Sequence, residues 1–381
     1  MNVRPKLRSG GVSIFAVITR LANEHGAINL GQGFPDYNCA PELIDAVSRY
    51  MREGHNQYAP MPGVLALREA LAMKIERLYG RRYDPVTEIT VTTGATEGIF
   101  NALTALVHPG DEVLLFQPAY DSYTPSVVLS GGIPRYVTLR FPDFRIDWDE
   151  VRQKVSDRTR AIVINTPHNP TGMTWTADDI AELRRVLQGT DAVVISDEVY
   201  EHITFDGTRH ESLARYADIA ERAIVISSFG KTYHTTGWKV GYCAAPPALT
   251  KEIQGIHQWV TFAVNGAVQM AYADMVKRDP AATEVTAFYQ GRRDLFLSLI
   301  QGSRFRPLRS RGTFFQLVDY SAITDEPDID FAQRLTREHG VAAIPISPFL
   351  NENEEPGPVV RFCFAKRDET LKAAAERLRQ V

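Results

Sequence analysis

Cysteine is scarce in this sequence, and its distribution excludes two kinds of site. Only three cysteines occur among 381 residues, Cys39, Cys243 and Cys363, and none belongs to a Cys-x-x-Cys pair. An odd number of scattered cysteines indicates neither a disulfide framework nor a zinc site. The pattern therefore predicts a protein of a reducing compartment with no bound metal.

Long apolar runs and an excess of positive charge are also missing. No run approaches the roughly 20 apolar residues that span a bilayer, and the formal net charge is −4. Nucleic-acid-binding chains usually carry a basic excess. Near the N-terminus, Ile14, Val17, Ile18 and Leu21 recur at helical spacing, which favours an amphipathic helix over a secretion signal. We therefore expect a cytoplasmic protein that binds neither nucleic acid nor membranes.

What the sequence does contain is an alternation of short apolar runs and helical patterns. Helix-like segments such as 97–107 and 177–187 lie between several of the runs. This alternation predicts an α/β fold with a mostly parallel sheet covered by helices on both faces. The runs that read as buried strands are residues 88–93, 111–116, 133–139, 160–166, 191–197, 223–228 and 240–245.

The C-terminal part of the chain has a different pattern. From about residue 276 come a long charged helical stretch, the segments GTFFQLVDY and PVVRFCFAK, and a terminal helix over 369–380. We expect a smaller α+β domain over 276–381, joined by an N-terminal arm of residues 1–40, because the two ends of a domain often lie close. Residues 41–275 would form the large domain.

Polar residues and glycines follow four of the predicted strands, at 94–98 (GATEG), 167–172 (PHNPTG), 197–200 (DEVY) and 228–231 (SFGK). Each alone is compatible with a structural role: a capped turn, a rigid loop that is a candidate for a cis peptide bond, an acid at a strand end, or a lysine that reaches water. In such sheets, however, ligands bind beyond the carboxyl ends of the strands.

Together, these strand ends bring a glycine-rich helix N-terminus, an amide, a carboxylate, a phenol and an amine to one sheet edge. Pyridoxal phosphate requires that set. Its aldehyde needs an amine and its ring nitrogen a carboxylate. Its phenolate oxygen needs hydrogen-bond donors, and its phosphate needs a nest of N–H groups.

The order and spacing of the motifs resemble those of the fold type I, class I aminotransferases. Asn169 of NPTG precedes Asp197 of SDEVY by 28 residues, and Lys231 of SSFGK follows 34 residues later. INLGQGFPD, NQYAPMPG, TGATEGIF, QPAYDSY, GWKVGY and VVRFCFAK extend the resemblance over essentially the whole chain. The sequence is most similar to the methionine aminotransferase and kynurenine–oxoglutarate aminotransferase branch. The resemblance implies a pyridoxal-phosphate-dependent transaminase.

The resemblance also implies catalytic roles for three residues. Lys231 would hold the cofactor as a Schiff base and move the α-proton of the substrate. Asp197 would keep the pyridine nitrogen protonated. Tyr200, with Asn169, would hydrogen-bond the phenolate oxygen. Such a lysine loses its proton easily when it is desolvated and close to other cations.

The phosphate of the cofactor would be held by Ala95, Thr96, Ser228 and Lys239. Many members of the family have arginine at the position of Lys239, and lysine keeps the charge but loses the bidentate fork. Tyr120 would stack on the cofactor ring, although a plain core aromatic is the alternative at this position.

Three residues would bind the amino-acid substrate at its α-carboxylate end. Arg361 would bind the carboxylate with both arms of its guanidinium group, and an internal salt bridge is the alternative. Gly33 would allow the backbone to approach the same carboxylate, and Asn169 would contribute a hydrogen bond.

Tyr58 would cross to the phosphate of a second subunit, so we expect a homodimer with shared active sites.

The side-chain pocket is expected to be aromatic and uncharged, with Phe15, Phe34, Tyr58, Tyr120 and Phe262 as its lining. Such a lining prefers long neutral side chains. Methionine, phenylalanine, tyrosine, kynurenine and glutamine are all compatible. We expect methionine or aromatic amino acids as donors and a 2-oxo acid as acceptor.

Other activities remain open from the sequence. Kynurenine–oxoglutarate transamination could be the main reaction. The same residues would also serve a cysteine-S-conjugate β-lyase or a ring-closing synthase. A regulatory module that senses pyridoxal phosphate without turnover is disfavoured, because the positions that would carry catalysis hold competent residues.

Overall fold

The computed structural model describes residues 6–7, 13–351 and 354–381. The helices are α1 (Ile14–Glu24), α2 (Pro41–Arg52), α3 (Leu65–Tyr79), α4 (Gly94–Leu106), α5 (Tyr123–Leu129), α6 (Trp148–Lys154), α7 (Ala177–Leu187), α8 (Ala217–Ala220), α9 (Phe229–Thr232), α10 (Pro247–Val260), α11 (Gly266–Arg278), α12 (Thr283–Ile300), α13 (Asp328–Glu338) and α14 (Asp368–Leu378). Short 3₁₀ helices span Leu213–Arg215, Thr236–Trp238 and Ser347–Phe349.

The strands belong to three sheets, of seven, four and two strands. They are β1 (Ile28–Asn29), β2 (Ile89–Thr92), β3 (Glu112–Gln117), β4 (Ile133–Thr138), β5 (Thr159–Asn165), β6 (Val193–Asp197), β7 (Ala223–Ser228), β8 (Gly241–Ala244), β9 (Arg306–Pro307), β10 (Phe315–Asp319), β11 (Val341–Ala342), β12 (Ile344–Pro345) and β13 (Val359–Cys363). Among the helices that the structure describes, none has the length and apolar character needed to cross a membrane.

The seven-stranded sheet confirms the predicted α/β class. Its order is β2-β8-β7-β6-β5-β3-β4, and β4, β3, β5, β6 and β7 run parallel. Only β8 is antiparallel to its two neighbours. Most of these strands are buried along their whole length because helices cover the sheet, and continuous apolar runs are the sequence pattern that such burial produces. All seven predicted runs form strands of this sheet.

The C-terminal part forms an antiparallel sheet of order β12-β13-β10-β9. The N-terminal segment contacts the same part of the chain. β1 pairs with β11 in the two-stranded sheet, and the N–H of Cys363 in β13 donates to the carbonyl of Leu30 at 2.7 Å. Residues 1–5 and 8–12 of the expected arm lie outside the described residues, and the domain boundaries stay a prediction.

The parallel strands end at one edge of the large sheet, and this edge positions the site. Asn165, the last residue of β5, lies beside Asp197 at the end of β6, and β7 ends at Ser228. The loop after β5 contains cis peptide bonds at Thr166–Pro167 and Asn169–Pro170, as the rigid PHNPTG run indicated. β10 and β13 of the smaller sheet approach the same edge.

Candidate active site

A cavity of about 340 Å³ lies between this sheet edge and strands β10 and β13. It brings together most of the side chains and glycines that the sequence singles out, although they span more than 340 positions of the chain. The predicted site residues that line it are Phe15, Gly33, Ala95, Thr96, Tyr120, Asn169, Asp197, Tyr200, Ser228, Lys231, Lys239 and Arg361.

Lys231 lies in the short helix α9, directly beyond β7, and its amine points into the cavity. Its Nζ is 3.4 Å from the carbonyl oxygen of Gly33 and 5.0 Å from the ring centre of Phe314. Burial lowers the pKa of Lys231 to about 8, with the nearby cations Arg361 and Lys239 acting in the same direction. A substantial fraction of the amine is therefore neutral near pH 8, and a neutral amine is nucleophilic.

Asp197 ends β6 and is held by two hydrogen bonds. The phenol of Tyr123 donates to Oδ2 at 2.5 Å, and the N–H of Val199 donates to Oδ1 at 3.2 Å. Burial raises the pKa of Asp197 to about 6, against the opposing effect of these two donors. The carboxylate is ionised above that pH, so it can pair with a protonated ring nitrogen in the cavity.

Asn169 and Tyr200 line the same cavity. The N–H of Asn169 donates to Oδ1 of Asn165 at 2.8 Å, which fixes the backbone after β5. Lys231 Nζ is 5.5 Å from the ring centre of Tyr200. Burial keeps the pKa of Tyr200 well above its ordinary value, so its phenol stays a hydrogen-bond donor at neutral pH.

Hydrogen-bond donors converge at the start of α4. The first N–H groups of a helix have no partner in their own helix, and here they belong to Gly94, Ala95 and Thr96. Ser228 and Lys239 line the same part of the cavity. A Cβ on Gly94, whose φ is +75°, would lie 3.3 Å from the Nζ of Lys239. Backbone N–H groups, a hydroxyl and an ammonium fit the phosphate of the cofactor.

Arg361 in β13 is a buried cation whose hydrogen-bond partners are neutral. Its Nη1 donates to Oδ1 of Asn169 at 2.6 Å and its Nη2 to the carbonyl of Gly31 at 3.1 Å. Its guanidinium carbon is 3.7 Å from the ring centre of Phe315. Among the described residues its Nε has no partner.

The environment of Arg361 suits an anionic ligand. Only 1% of the residue is exposed, and burial lowers its pKa to about 10. The group therefore remains charged at neutral pH although it is buried. Burying a charge without a counter-ion is costly, and the α-carboxylate of an amino acid would supply that counter-ion.

Three predicted aromatic residues lie outside this cavity. Phe34, expected in the pocket lining, is 46% exposed and its ring centre lies 5.0 Å from the Nζ of Lys366. Tyr58 is 86% exposed and contacts Phe262, with ring centres 5.6 Å apart. Within one chain, Tyr58 and Phe262 therefore reach neither the cofactor end nor the substrate end.

Sequence reasoning missed three residues that shape the site. Tyr123, the partner of Asp197, is the first residue of α5, and Tyr120 precedes that helix, so helical spacing between the two gives no signal. Asn165 is a polar residue at the end of an apolar strand, which is a detectable signal. Phe315 carries no local signal, because its importance comes from its contact with Arg361.

Comparisons with known proteins agree with this geometry. The family model of aminotransferase class I and II matches residues 25–378. The chain is 49% identical to a methionine aminotransferase of Escherichia coli over 99% of this chain and 97% of that protein. It is 34% identical to a kynurenine–oxoglutarate transaminase of Dictyostelium discoideum over 97% and 94% of the two chains.

A solved Escherichia coli structure, described as having a methionine aminotransferase function, superimposes with a TM-score of 0.97 at 49% identity and full coverage of both chains. The family match covers far more than half of the chain, and the cofactor end of the cavity has the donors that pyridoxal phosphate needs. This protein therefore belongs to the class I and II aminotransferase family and is a pyridoxal-phosphate-dependent aminotransferase of fold type I.

Proposed function

We propose that this enzyme transfers the α-amino group of methionine or an aromatic amino acid to a 2-oxo acid, with Lys231 as the attachment point of pyridoxal phosphate. The observation that carries the proposal is the placement of Lys231, Asp197 and Arg361 around one cavity. An amine, a carboxylate and a cation that forms no ion pair among the described residues are the groups that this reaction needs for the aldehyde, the ring nitrogen and the substrate carboxylate.

The roles of the side chains follow from their chemistry. Arg361 binds the α-carboxylate and thereby fixes the Cα–H bond relative to Lys231. When bound, pyridoxal phosphate supplies the electron sink for the electron pair that this bond releases. The neutral amine of Lys231 would accept the α-proton and would donate it again within the cavity. The ionised Asp197 stabilises the proton on the ring nitrogen.

The donor side chain is inferred from the lining of the cavity and from the relatives. Phe15, Tyr120 and Phe315 line the cavity, and the ring of Phe315 contacts the guanidinium group of Arg361. These surfaces are apolar, so a thioether or aromatic side chain gains burial energy there. The similarity to the methionine aminotransferase favours methionine, and the similarity to the kynurenine transaminase favours aromatic amino acids as additional donors.

We further propose a homodimer in which Tyr58 reaches the phosphate in the partner's site. The exposed side chains of Tyr58, Trp259, Val260 and Phe262 form an apolar surface, and such surfaces on a folded chain indicate a protein interface. Mixing Tyr58→Ala and Lys231→Ala subunits should restore sites with both native residues. No regain of cofactor affinity or activity in the mixture would contradict the shared site.

A cytoplasmic location is part of the same proposal. All three cysteines, Cys39, Cys243 and Cys363, are free thiols in the structure. Free thiols persist in a reducing compartment. Fractionation of cells that express the protein at native level tests this point, and recovery from an exported fraction would contradict it.

The reaction and its donors are tested together by an amino-acid panel in single-turnover experiments. The absorbance of the enzyme-bound cofactor should bleach fastest with methionine and with aromatic amino acids, and the product should be the corresponding 2-oxo acid. Cysteine conjugates are the informative comparison. If they yield thiol and pyruvate faster than methionine yields its oxo acid, the β-lyase alternative replaces this proposal.

A further inference from the structure

Behind the phosphate-binding start of α4, one histidine contacts two separate parts of the site. His257, on α10, is fully buried. Its Nδ1 lies 2.7 Å from Oε1 of Glu97, in the first turns of α4, and its Nε2 lies 3.1 Å from the carbonyl oxygen of Met61. Met61 belongs to the loop that carries Tyr58. His257 therefore joins the cofactor end of the cavity to this loop.

The hydrogen-bond partners determine the charge of the ring. A backbone carbonyl only accepts, so the Nε2 that faces Met61 must carry a proton. The carboxylate of Glu97 also accepts from the amide of Asn101 at 3.1 Å and from the N–H of Thr93. A carboxylate that accepts from two such donors is held in its ionised form. An ionised carboxylate only accepts, so the Nδ1 of His257, 2.7 Å away, donates to it and the ring is an imidazolium.

The pKa of Glu97 agrees with this assignment. Burial by itself would raise the pKa of this carboxyl, but the hydrogen bonds from His257 and from the Thr93 N–H outweigh it. The pKa of Glu97 therefore lies below its ordinary value.

The charge of this pair matters because of its position. Glu97 directly follows Thr96, and a buried carboxylate without a counter-charge beside a phosphate site would repel the phosphate. The imidazolium cancels that charge. The N–H of Thr93 donates to this neutralised carboxylate. The N–H groups of Gly94 to Thr96 therefore remain available to bind the phosphate.

We propose that His257 is a positioning residue for the cofactor's phosphate: as an imidazolium it neutralises Glu97 and fixes the start of α4 against the Tyr58 loop. This inference rests on the proposed cofactor site. It assigns a function to a residue that neither lines the cavity nor reaches the reacting atoms.

The test compares two ligands that differ only in the phosphate group, pyridoxal phosphate and pyridoxal. His257→Gln removes the positive charge and cannot hold both partners. Residues behind a ligand shell commonly change affinity by about 10- to 100-fold when mutated, as around metal ions. We expect the dissociation constant of pyridoxal phosphate to rise by at least about tenfold, with that of pyridoxal nearly unchanged. An equal change for both ligands, or no change, would overturn the proposal.

A second substitution separates charge from packing. In His257→Gln/Glu97→Gln the buried carboxylate is gone as well, so the double variant should bind pyridoxal phosphate more tightly than His257→Gln alone. Failure to recover any affinity would refute charge neutralisation. Gln254→Ala is the matched control on α10, since it removes a part-buried hydrogen bond of 3.0 Å to Thr90 of β2. This control should leave the affinity for both ligands unchanged.

The charge of the ring can be observed without any folding risk in the wild-type protein. Nitrogen-15 spectra of histidine-labelled enzyme at pH 7 should show one buried ring with protons on both nitrogens. A neutral tautomer at His257 would overturn the assignment.

Lys239→Met and Ser228→Ala distinguish a wrong role for His257 from a wrong cofactor site. If these variants also leave the preference for pyridoxal phosphate over pyridoxal intact, the proposed cofactor site itself is wrong.

Discussion

The two basic residues of the cavity, Lys231 and Arg361, differ in how they are held. Lys231 has one long hydrogen bond, 3.4 Å to the carbonyl of Gly33. Arg361 has two shorter ones and lies 3.7 Å above the ring of Phe315. Burial brings the pKa of the lysine to about 8 but leaves that of the arginine at about 10.

This difference separates a group that must react from a group that must stay charged. A loosely held amine with a pKa near the working pH can lose its proton, attack and move. A guanidinium in a rigid, stacked arrangement keeps both its charge and its direction. The large sheet therefore supplies the reactive residues of the site, and the smaller sheet supplies the fixed one. Substitutions at these residues and their neighbours test that difference.

The largest effect is expected at the reactive cation. Lys231→Ala should lower kcat by at least about ten-thousandfold, because general acid–base catalysis and the attachment of the cofactor are both lost. The absorbance of the lysine-bound cofactor should vanish as well. Steady-state kinetics and a visible spectrum measure both, with the exposed Lys251→Ala as control. Full transamination by Lys231→Ala would disprove the assigned role.

Substitution of Arg361 is expected to weaken the binding of the amino-acid substrate and to leave that of the cofactor unchanged. Arg361→Ala should lower kcat/KM for methionine by about a thousandfold, since a buried charge-assisted pair is worth several kcal/mol, while bound cofactor stays near one per chain. Arg361→Lys should be intermediate because lysine keeps the charge without the fork. Loss of cofactor with substrate affinity intact would reverse the roles of the two cations.

The carboxylate on the reactive side should show a defined pH dependence. Asp197 must be ionised to stabilise a protonated ring nitrogen, so the affinity for pyridoxal phosphate should fall as the pH drops through about 6. The phenol of Tyr123 favours the charged form. Tyr123→Phe should therefore raise the pKa of Asp197 and move this midpoint to higher pH. A pH titration of cofactor affinity measures the shift, and an unmoved midpoint would exclude the link.

The smallest expected effect is the influence of Arg361 on the pKa of Lys231. Capture of pyridoxal phosphate by the cofactor-free enzyme needs a neutral amine, so its rate should rise with pH around a midpoint of about 8. Arg361 contributes to the lowered pKa of Lys231. Removing that cation in Arg361→Met should move the midpoint upward, whereas a surface change such as Arg377→Met should not. Stopped-flow rates across the pH range test this, and a downward shift would contradict it.

The reactive side of the site was accessible from sequence because it follows local rules. Buried parallel strands produce continuous apolar runs, and the residue after each run lies at a known sheet edge. Asp197 and Lys231 could therefore be placed together without a structure. Arg361 could be singled out as a charge in an apolar strand, but its alternatives, a substrate carboxylate or an internal salt bridge, stayed open.

By itself, the sequence determined the α/β class, the seven strands of the large sheet and the chemical types of the groups at its edge, since these depend on local periodicity and order along the chain. Only the tertiary structure decided the rest: the stack of Arg361 on Phe315, the hydrogen bond from Tyr123 to Asp197 and the contact of Phe34 with Lys366. Such contacts join segments that are distant in the chain, and their energies depend on burial and orientation, which no local pattern records.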